Sequence, residues 1–388
     1  MTPSATRERA AVGRRGSRLL TALTIAALLL EGALVSAPRI EAVWRSGAFF
    51  DSDDAMRAVQ LRAFLAGQGW FDLMVDRVDP PQGLVMHWSR IVDVPLAALH
   101  RLFSIFLSGD DVERATRLAF PFAFLAALYW IAGRLGAVLA GGSARLAAIW
   151  LTALSAPMFA QFAPGRIDHH APQIVTLAAT LCLLLEGFDP RRARRFAAAA
   201  ALMALSASIS LENLPFFVVL ATAPALLFVR DGVAARAQLI FFSAGALVAF
   251  PAFYALTVRP AAYLQPVCDA FSVVHLAPVL VGAAALLGAS IAAPRLSRLS
   301  TRALAVAGAA AAAFACALAI APQCVDPFHG LDPSLRSLWL AHVREVQPPT
   351  VAFPPDAAVG FSAPVALGLA SALGFAWFDR GLARRRWL

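Results

Sequence analysis

Three short polar segments carry the residues that could do chemistry in this chain. The first, Phe49-Phe50-Asp51-Ser52-Asp53-Asp54-Ala55-Met56-Arg57, sets three carboxylates within four positions. Carboxylates this close repel one another unless something positive sits among them, and a divalent cation such as Mg²⁺ or Mn²⁺ favours hard oxygen ligands of this kind. The same residues also suit a solvated helix start, with Asp51 or Ser52 capping the stretch that follows. The second segment, Gly165-Arg166-Ile167-Asp168-His169-His170, joins an acid to two imidazoles. It fits a metal or acid–base site, or an interfacial polar turn between two helices. The third, Leu340-Ala341-His342-Val343-Arg344-Glu345-Val346-Gln347-Pro348-Pro349-Thr350, is by itself a solvated helix ended by proline.

The elements that must position these residues are set by composition. The chain has 388 residues, 60% hydrophobic and 15% charged, against about 45–50% and about 25% in an ordinary soluble protein. Apolar runs such as residues 19–37 and 304–321 match the hydrocarbon thickness of a bilayer at helical rise. The expectation is an all-α polytopic membrane protein with about ten transmembrane helices and two long outer-face segments. The spans fall near 18–37, 114–133, 145–162, 171–187, 197–211, 214–229, 237–257, 273–292, 303–321 and 361–378.

The net charge of +9 does not point to nucleic acid. The arginines gather at one set of helix ends: Arg134 and Arg145, then Arg191, Arg192, Arg194 and Arg195, then Arg230 and Arg236, Arg295, Arg298 and Arg302, and finally Arg380 and Arg384 to Arg386. Such a bias marks the cytoplasmic side. It puts both termini in the cytoplasm of a bacterial inner membrane and all three polar segments on the periplasmic side. The organisation read from it is a cytoplasmic start (1–17), a membrane domain (18–379) with outer segments 38–113 and 322–360, and a cytoplasmic tail (380–388).

Residues 91–107 are apolar, but Asp93, His100 and Arg101 interrupt them, and counting them as a span would move the arginine quartet outside. They read as an amphipathic helix lying on the outer face. The amino end resembles a signal peptide, yet Ser36-Ala37-Pro38 is a poor cleavage site and an uncleaved first helix is expected. Cys182 and Cys316 lie in apolar runs, whereas Cys268 and Cys324 fall in outer segments where they can pair.

The order and spacing of the three polar segments resemble the catalytic subunit of oligosaccharyltransferase and, more broadly, membrane glycosyltransferases of the GT-C class. In that family an aspartate follows the first helix, a Gly-x-x-Asp-x-acidic stretch sits in the second outer loop, and a Glu-bearing motif sits in the last. Gly165-Arg166-Ile167-Asp168 is similar to the family's Gly-Ser-Tyr-Asp, and Val343-Arg344-Glu345-Val346-Gln347-Pro348-Pro349-Thr350 to its Ser-Val-Ser-Glu-His-Gln-Pro-Thr-Thr. The resemblance implies that Asp53 is the principal carboxylate of the first segment, that Asp168 is the second metal ligand, and that Glu345 fixes the acceptor or closes the site. His170 stands where the family has a second acid and can still bind manganese. No large soluble C-terminal domain and no Trp-Trp-Asp motif follow the last helix, so peptide sequons are not the expected acceptor, and a separate subunit could bind it.

The function these readings imply is transfer of a sugar or glycan from a polyprenyl phosphate or diphosphate to a periplasmic or lipid acceptor. Asp53 and Asp168 would hold Mg²⁺ or Mn²⁺, with Asp51, Asp54 and His170 as supplements. Arg57, Arg166 and Arg344 are candidates to grip phosphate or to meet lipid headgroups. His87 and Trp88 belong to an aromatic, proline-rich loop that either lines the substrate groove or anchors at the interface. The alternative is a transporter or flippase for a lipid-linked glycan, which would place charges near the bilayer midplane.

Overall fold

The computed structural model describes residues 3–326, 328 and 330–343. The chain divides into two units, Met1–Val325 and Asp326–Leu388. The described part of the second unit includes a short helix, Pro333–Leu338, capped by the Asp332 carboxylate on the Ser334 amide, with Arg336 paired to Asp326 at 3.2 Å, and a single 3-10 turn at Leu340–His342. The expected span 361–378, Arg344, Glu345 and the tail lie outside the described residues.

The first unit is helical apart from one hairpin. Its helices are α1 (Pro3–Val35), α2 (Ala37–Ser46), α3 (Ser52–Leu65), α4 (Asp93–Phe103), α5 (Asp110–Ala140), α6 (Ala144–Ala153), α7 (Ala156–Gln161), α8 (His170–Gly187), α9 (Arg195–Ile209), α10 (Leu214–Asp231), α11 (Arg236–Thr257), α12 (Val273–Ile291) and α13 (Leu299–Ile320). Six stretches are long and apolar enough to cross a membrane, and one of them, Leu214–Thr257, contains both α10 and α11. The shorter apolar helices α6 and α9 match two further expected spans. Each span expected before residue 322 thus falls on one helix or, for 145–162, on two, as in an all-α polytopic membrane protein.

The boundaries differ in three places, each with a local cause. The third span is split into α6 and α7 at Ser155. Pro157 has no amide to donate to the Ala153 carbonyl four residues back, so α6 ends at Ala153 and the proline sits in the first turn of α7. The second span runs from Asp110 rather than 114, since Asp110, Asp111 and Glu113 complement the partial positive charge of its first turn. The segment after α1 opens with a helix that sequence does not anticipate: α2 follows at once, and ends at Gly47 with φ of +67°, a conformation that glycine adopts without strain. Residues 91–107 form the 11-residue α4, too short to span, with Leu96 and Ala97 buried and Val94 and Leu102 exposed. A two-stranded hairpin, β1 (Met74–Val75) paired antiparallel to β2 (Leu84–Val85), lies between α3 and α4. Cys268 and Cys324 form a disulfide that ties the segment before α12 to the end of α13.

Small residues set the helix spacing. A Cβ on Gly136 of α5 would lie 2.5 Å from the Ala148 Cβ and 2.7 Å from the Ala144 carbonyl oxygen of α6, and one on Gly245 of α11 would lie 2.7 Å from the Ala197 Cα of α9. In a bilayer, where burial of apolar surface does not drive helices together, such close approach supplies the packing. Gly136→Val must push α6 away from α5 and is expected to cost about 1–3 kcal/mol, read as a lowered thermal unfolding temperature in detergent. Val138→Ala, at a 38% exposed site on the same helix, is the control and should be near neutral.

Candidate functional site

The acidic segment folds as the first turn of α3. Asp51 is the N-cap: its Oδ1 accepts from the amides of Asp53 and Asp54, both at 3.1 Å. The cap turns Asp54 inward, where it is fully buried. Asp54 Oδ1 accepts from the amides of Ile167 at 2.6 Å and Asp168 at 3.1 Å, which joins the first polar segment to the second across 113 residues of chain. Its other oxygen, Oδ2, is buried and has no hydrogen-bond partner among the described residues.

The second segment can come this close because of Gly165. Its φ of +93° lies in the left-handed region, and a Cβ there would stand 2.7 Å from the Val43 side chain of α2. The Gly165 amide donates to the Arg117 carbonyl of α5 at 3.2 Å. Beyond the turn, Asp168 is buried. Its Oδ1 accepts from the His170 amide at 3.0 Å, and its Oδ2 accepts from Arg166 Nε and Nη2 at 3.0 and 2.5 Å. Arg166 also reaches Asp51 Oδ2 at 3.3 Å and lies over the Phe50 ring. Carboxylate oxygens of Asp51, Asp54 and Asp168 all lie within 4.8 Å of one another.

A second group adjoins this one. Glu212, in the turn between α9 and α10, meets His169 Nε2 at 2.7 Å through Oε1 and His170 Nδ1 at 3.2 Å through Oε2. His170 Nε2 is 3.7 Å from Asp168 Oδ2, so the His170 ring spans the two groups. Burial pushes the Glu212 carboxyl up, but its hydrogen bonds with the two histidines and their charge hold it well below the usual carboxylate range.

A divalent cation would meet a suitable donor set here. Asp54 Oδ2 is a buried carboxylate oxygen without a partner, and desolvation, then the neighbouring Asp168, push the Asp54 carboxyl up to about 7. Arg166 compensates Asp168 and Asp51 directly, which leaves Asp54 as the carboxylate short of positive charge. Clustered carboxylate oxygens with one imidazole nitrogen at the edge suit Mg²⁺ or Mn²⁺. The residues fit the ion.

The raised Asp54 fixes a sign. A carboxyl that holds its proton more tightly folded than unfolded stabilises the fold at low pH, and that contribution is lost as pH rises through about 7. Without divalent cation, Asp54 is therefore expected to lower stability by about 2–3 kcal/mol between pH 5 and pH 8. Thermal unfolding in EDTA at the two pH values measures it. Asp54→Asn should flatten the difference, and added Mn²⁺ should raise the unfolding temperature more at pH 8 than at pH 5.

The other residues singled out by sequence are placed as follows. Asp53 is half-buried in the first turn of α3, and among the described residues the carboxylates close enough to share an ion are those of Asp51, Asp54 and Asp168. Arg57 faces inward, not to the surface: it is fully buried, with Nη1 on Asp93 Oδ1 at 3.2 Å and the Ser89 carbonyl at 3.3 Å, and its guanidinium over the Trp88 ring. In this arrangement it supports the site from beneath rather than offering a surface for phosphate. Trp88 is buried between Arg57 and His169, while His87 beside it is exposed. Arg344 and Glu345 lie outside the described residues. Sequence reading assigns no site role to Glu212 or Asp93. A lone acid in the turn Glu212-Asn213-Leu214-Pro215 between two apolar runs is the signal for the first, and an acid interrupting an apolar run is the signal for the second.

Comparison with known proteins bears on the fold. No protein-family profile matches the sequence, and no curated protein matches it. Among solved structures, the archaeal oligosaccharyltransferase AglB from Archaeoglobus fulgidus, in complex with an inhibitory peptide and a dolichol-phosphate, is similar at a TM-score of 0.54 and 14% identity, over 82% of this chain and 40% of that one. The Archaeoglobus fulgidus oligosaccharyltransferase in the apo form gives 0.48 and 16%, over 84% and 39%. The chain thus spans about 40% of the length of these structures. The expected likeness to oligosaccharyltransferase is met at the level of the fold.

Proposed function

We propose that this chain is a membrane glycosyltransferase that moves a sugar or glycan from a polyprenyl phosphate or diphosphate to an acceptor on the periplasmic face of a bacterial inner membrane. The observation that carries the reading is the buried, unpartnered Asp54 oxygen beside Asp168, at one end of a helix bundle whose fold is like that of an oligosaccharyltransferase. In that neighbour the ligands are an inhibitory peptide and a dolichol-phosphate.

Asp54, Asp168 and Asp51 would hold the cation with His170 as a fourth donor. When bound, Mg²⁺ or Mn²⁺ supplies positive charge to neutralise the phosphate that leaves. The chain's own residues do the rest. The Asp54 carboxylate pins the 165–168 turn so that Asp168 and Arg166 keep their places. Arg166 pairs with both Asp168 and Asp51 and so holds the two carboxylates beside each other. Glu212 orients both histidines. In the reaction the bond from the anomeric carbon to the phosphate oxygen breaks and one to the acceptor oxygen forms, while the acceptor proton passes to a carboxylate base. Glu345 would fix the acceptor, as the family resemblance implies.

The reading is tested with purified protein, a radiolabelled polyprenyl-phosphate sugar and membrane extract as acceptor. Transfer that stops in EDTA and returns with Mn²⁺ is the expected result. Transfer undiminished by chelation would overturn the metal site, and failure to consume any lipid-linked sugar would overturn the enzyme.

A further inference from the structure

We infer that the end of the bundle opposite the acidic site binds an anionic phospholipid, with its phosphate among arginines and an acyl chain in the groove that leads away from them. The inference rests on the membrane fold and not on the reading of the acidic site.

The two ends are set by the helices themselves. The Arg117 carbonyl of α5 accepts from Gly165 and so marks the acidic end, and α8 begins at His170 of the site. Arg134 lies 17 residues further along α5, and Glu186 lies 16 residues along α8. At helical rise each is about 25 Å away, close to the thickness of a bilayer core. Arg134 and Glu186 are directly paired there, and Arg195 of α9 reaches Glu186 at 3.3 Å.

Beside this pair is a cavity of about 440 Å³ lined by Arg134, Arg145, Arg192, Glu186 and Asp189 among others. Glu186 is taken by Arg134 and Arg195, and Asp189 lies 3.7 Å from Arg192. Arg145 is different. Its guanidinium has no acidic partner among the described residues, and its buried Nε makes no hydrogen bond. With Arg195 included, four guanidinium groups face two carboxylates, a net excess of positive charge where a phosphate diester can enter. Basic pockets between transmembrane helices at the cytoplasmic side take lipid headgroups by this chemistry, because the guanidinium fork matches phosphate oxygens.

The groove that accounts for the lipid tail starts at the same place. A cavity of about 630 Å³, almost wholly apolar, runs between α5, α6, α8 and α10. Its lining includes Leu135, next in sequence to Arg134, and Leu181, one helical turn from Leu185 of the basic cavity. It continues past Ile174 and Phe216 toward the acidic end. A charged cavity that opens into an apolar groove matches a phospholipid, whose charged head and apolar tail meet in the same order. Free phosphate would leave the groove without an occupant.

Native mass spectrometry of the purified full chain, loaded with equal phosphatidylglycerol and phosphatidylcholine, tests the proposal. Wild type should retain phosphatidylglycerol in preference to phosphatidylcholine. Arg145→Gln with Arg192→Gln, which leaves the Arg134–Glu186 pair intact, should lower that retention about thirtyfold, as removal of two cations near a lipid phosphate would. Leu181→Trp should lower it by obstructing the groove. Equal retention of the two lipids by wild type, a measurement that needs no variant, would overturn the proposal. So would unchanged retention in the arginine variant, or inorganic phosphate displacing the lipid at equal concentration.

Discussion

Asp54→Asn and Asp168→Asn are each expected to lower sugar transfer by about 10²–10³-fold, the loss typical when a group serving developing charge is removed. The two substitutions reach that result differently. In Asp54→Asn the side-chain oxygen can still accept from the Ile167 and Asp168 amides, so the 165–168 turn stays in place while the anionic Oδ2 becomes a neutral donor. Asp54→Ala would lose the turn as well and should also lower stability. Asp168→Asn removes the charge that holds Arg166 and sits beside His170. Asp53→Asn tests whether Asp53 joins the ion-binding set, as the family resemblance implies. If the buried group of Asp51, Asp54 and Asp168 holds the ion, Asp53→Asn should cost much less activity than Asp54→Asn, measured at equal protein level and saturating Mn²⁺. Equal losses at Asp53 and Asp54 would return Asp53 to the ion-binding set, and full activity in Asp54→Asn would end the proposed role of that oxygen.

The choice between neighbouring aspartates shows what sequence can and cannot resolve. Spacing alone makes Asp51, Asp53 and Asp54 equivalent, because which one faces inward depends on where the helix begins. Asp51 as N-cap sets that phase, and α3 then turns Asp54 and Arg57 to the interior. The membrane spans are legible because hydrocarbon thickness imposes a length that composition alone reveals. The split of α6 from α7 is signalled by Pro157 but hidden by continuous hydropathy. An arginine near acidic residues fits a phosphate ligand, whereas the burial of Arg57 under Trp88 depends on residues more than thirty positions away. Glu212 joins the histidines across some forty residues, a pairing no local pattern encodes. The Cys268–Cys324 disulfide is a pairing that sequence leaves open, since two cysteines in expected outer segments are free to pair or not.

Asp93→Asn is expected to lower stability by about 3–5 kcal/mol, the range for a buried ion pair that loses one partner. Asp93 is fully buried at the start of α4 and holds two arginines, Arg57 at 3.2 Å and Arg90 at 3.0 Å. They would not suffer equally. Arg90 keeps the Gln60 and Asp72 carbonyls and the Gln68 side chain. Arg57 would keep the Ser89 carbonyl, the face of Trp88 and at most a neutral amide oxygen in place of the Asp93 carboxylate, and its Nε and Nη2 already make no hydrogen bond among the described residues. Desolvation lowers its guanidinium pKa from the ordinary value, opposed chiefly by Asp93, so loss of that charge strands a buried cation. Arg57→Met in the Asp93→Asn background should therefore recover part of the loss, because an apolar side chain of similar length needs no counter-charge. Thermal unfolding of the three variants in detergent measures the cycle. Since Arg57 is on α3, the helix whose first turn presents Asp54, the same variant should weaken Mn²⁺ binding without changing a proposed ligand. An unfolding temperature equal to wild type in Asp93→Asn would mean that water reaches Arg57 and that the acidic turn is anchored by something else.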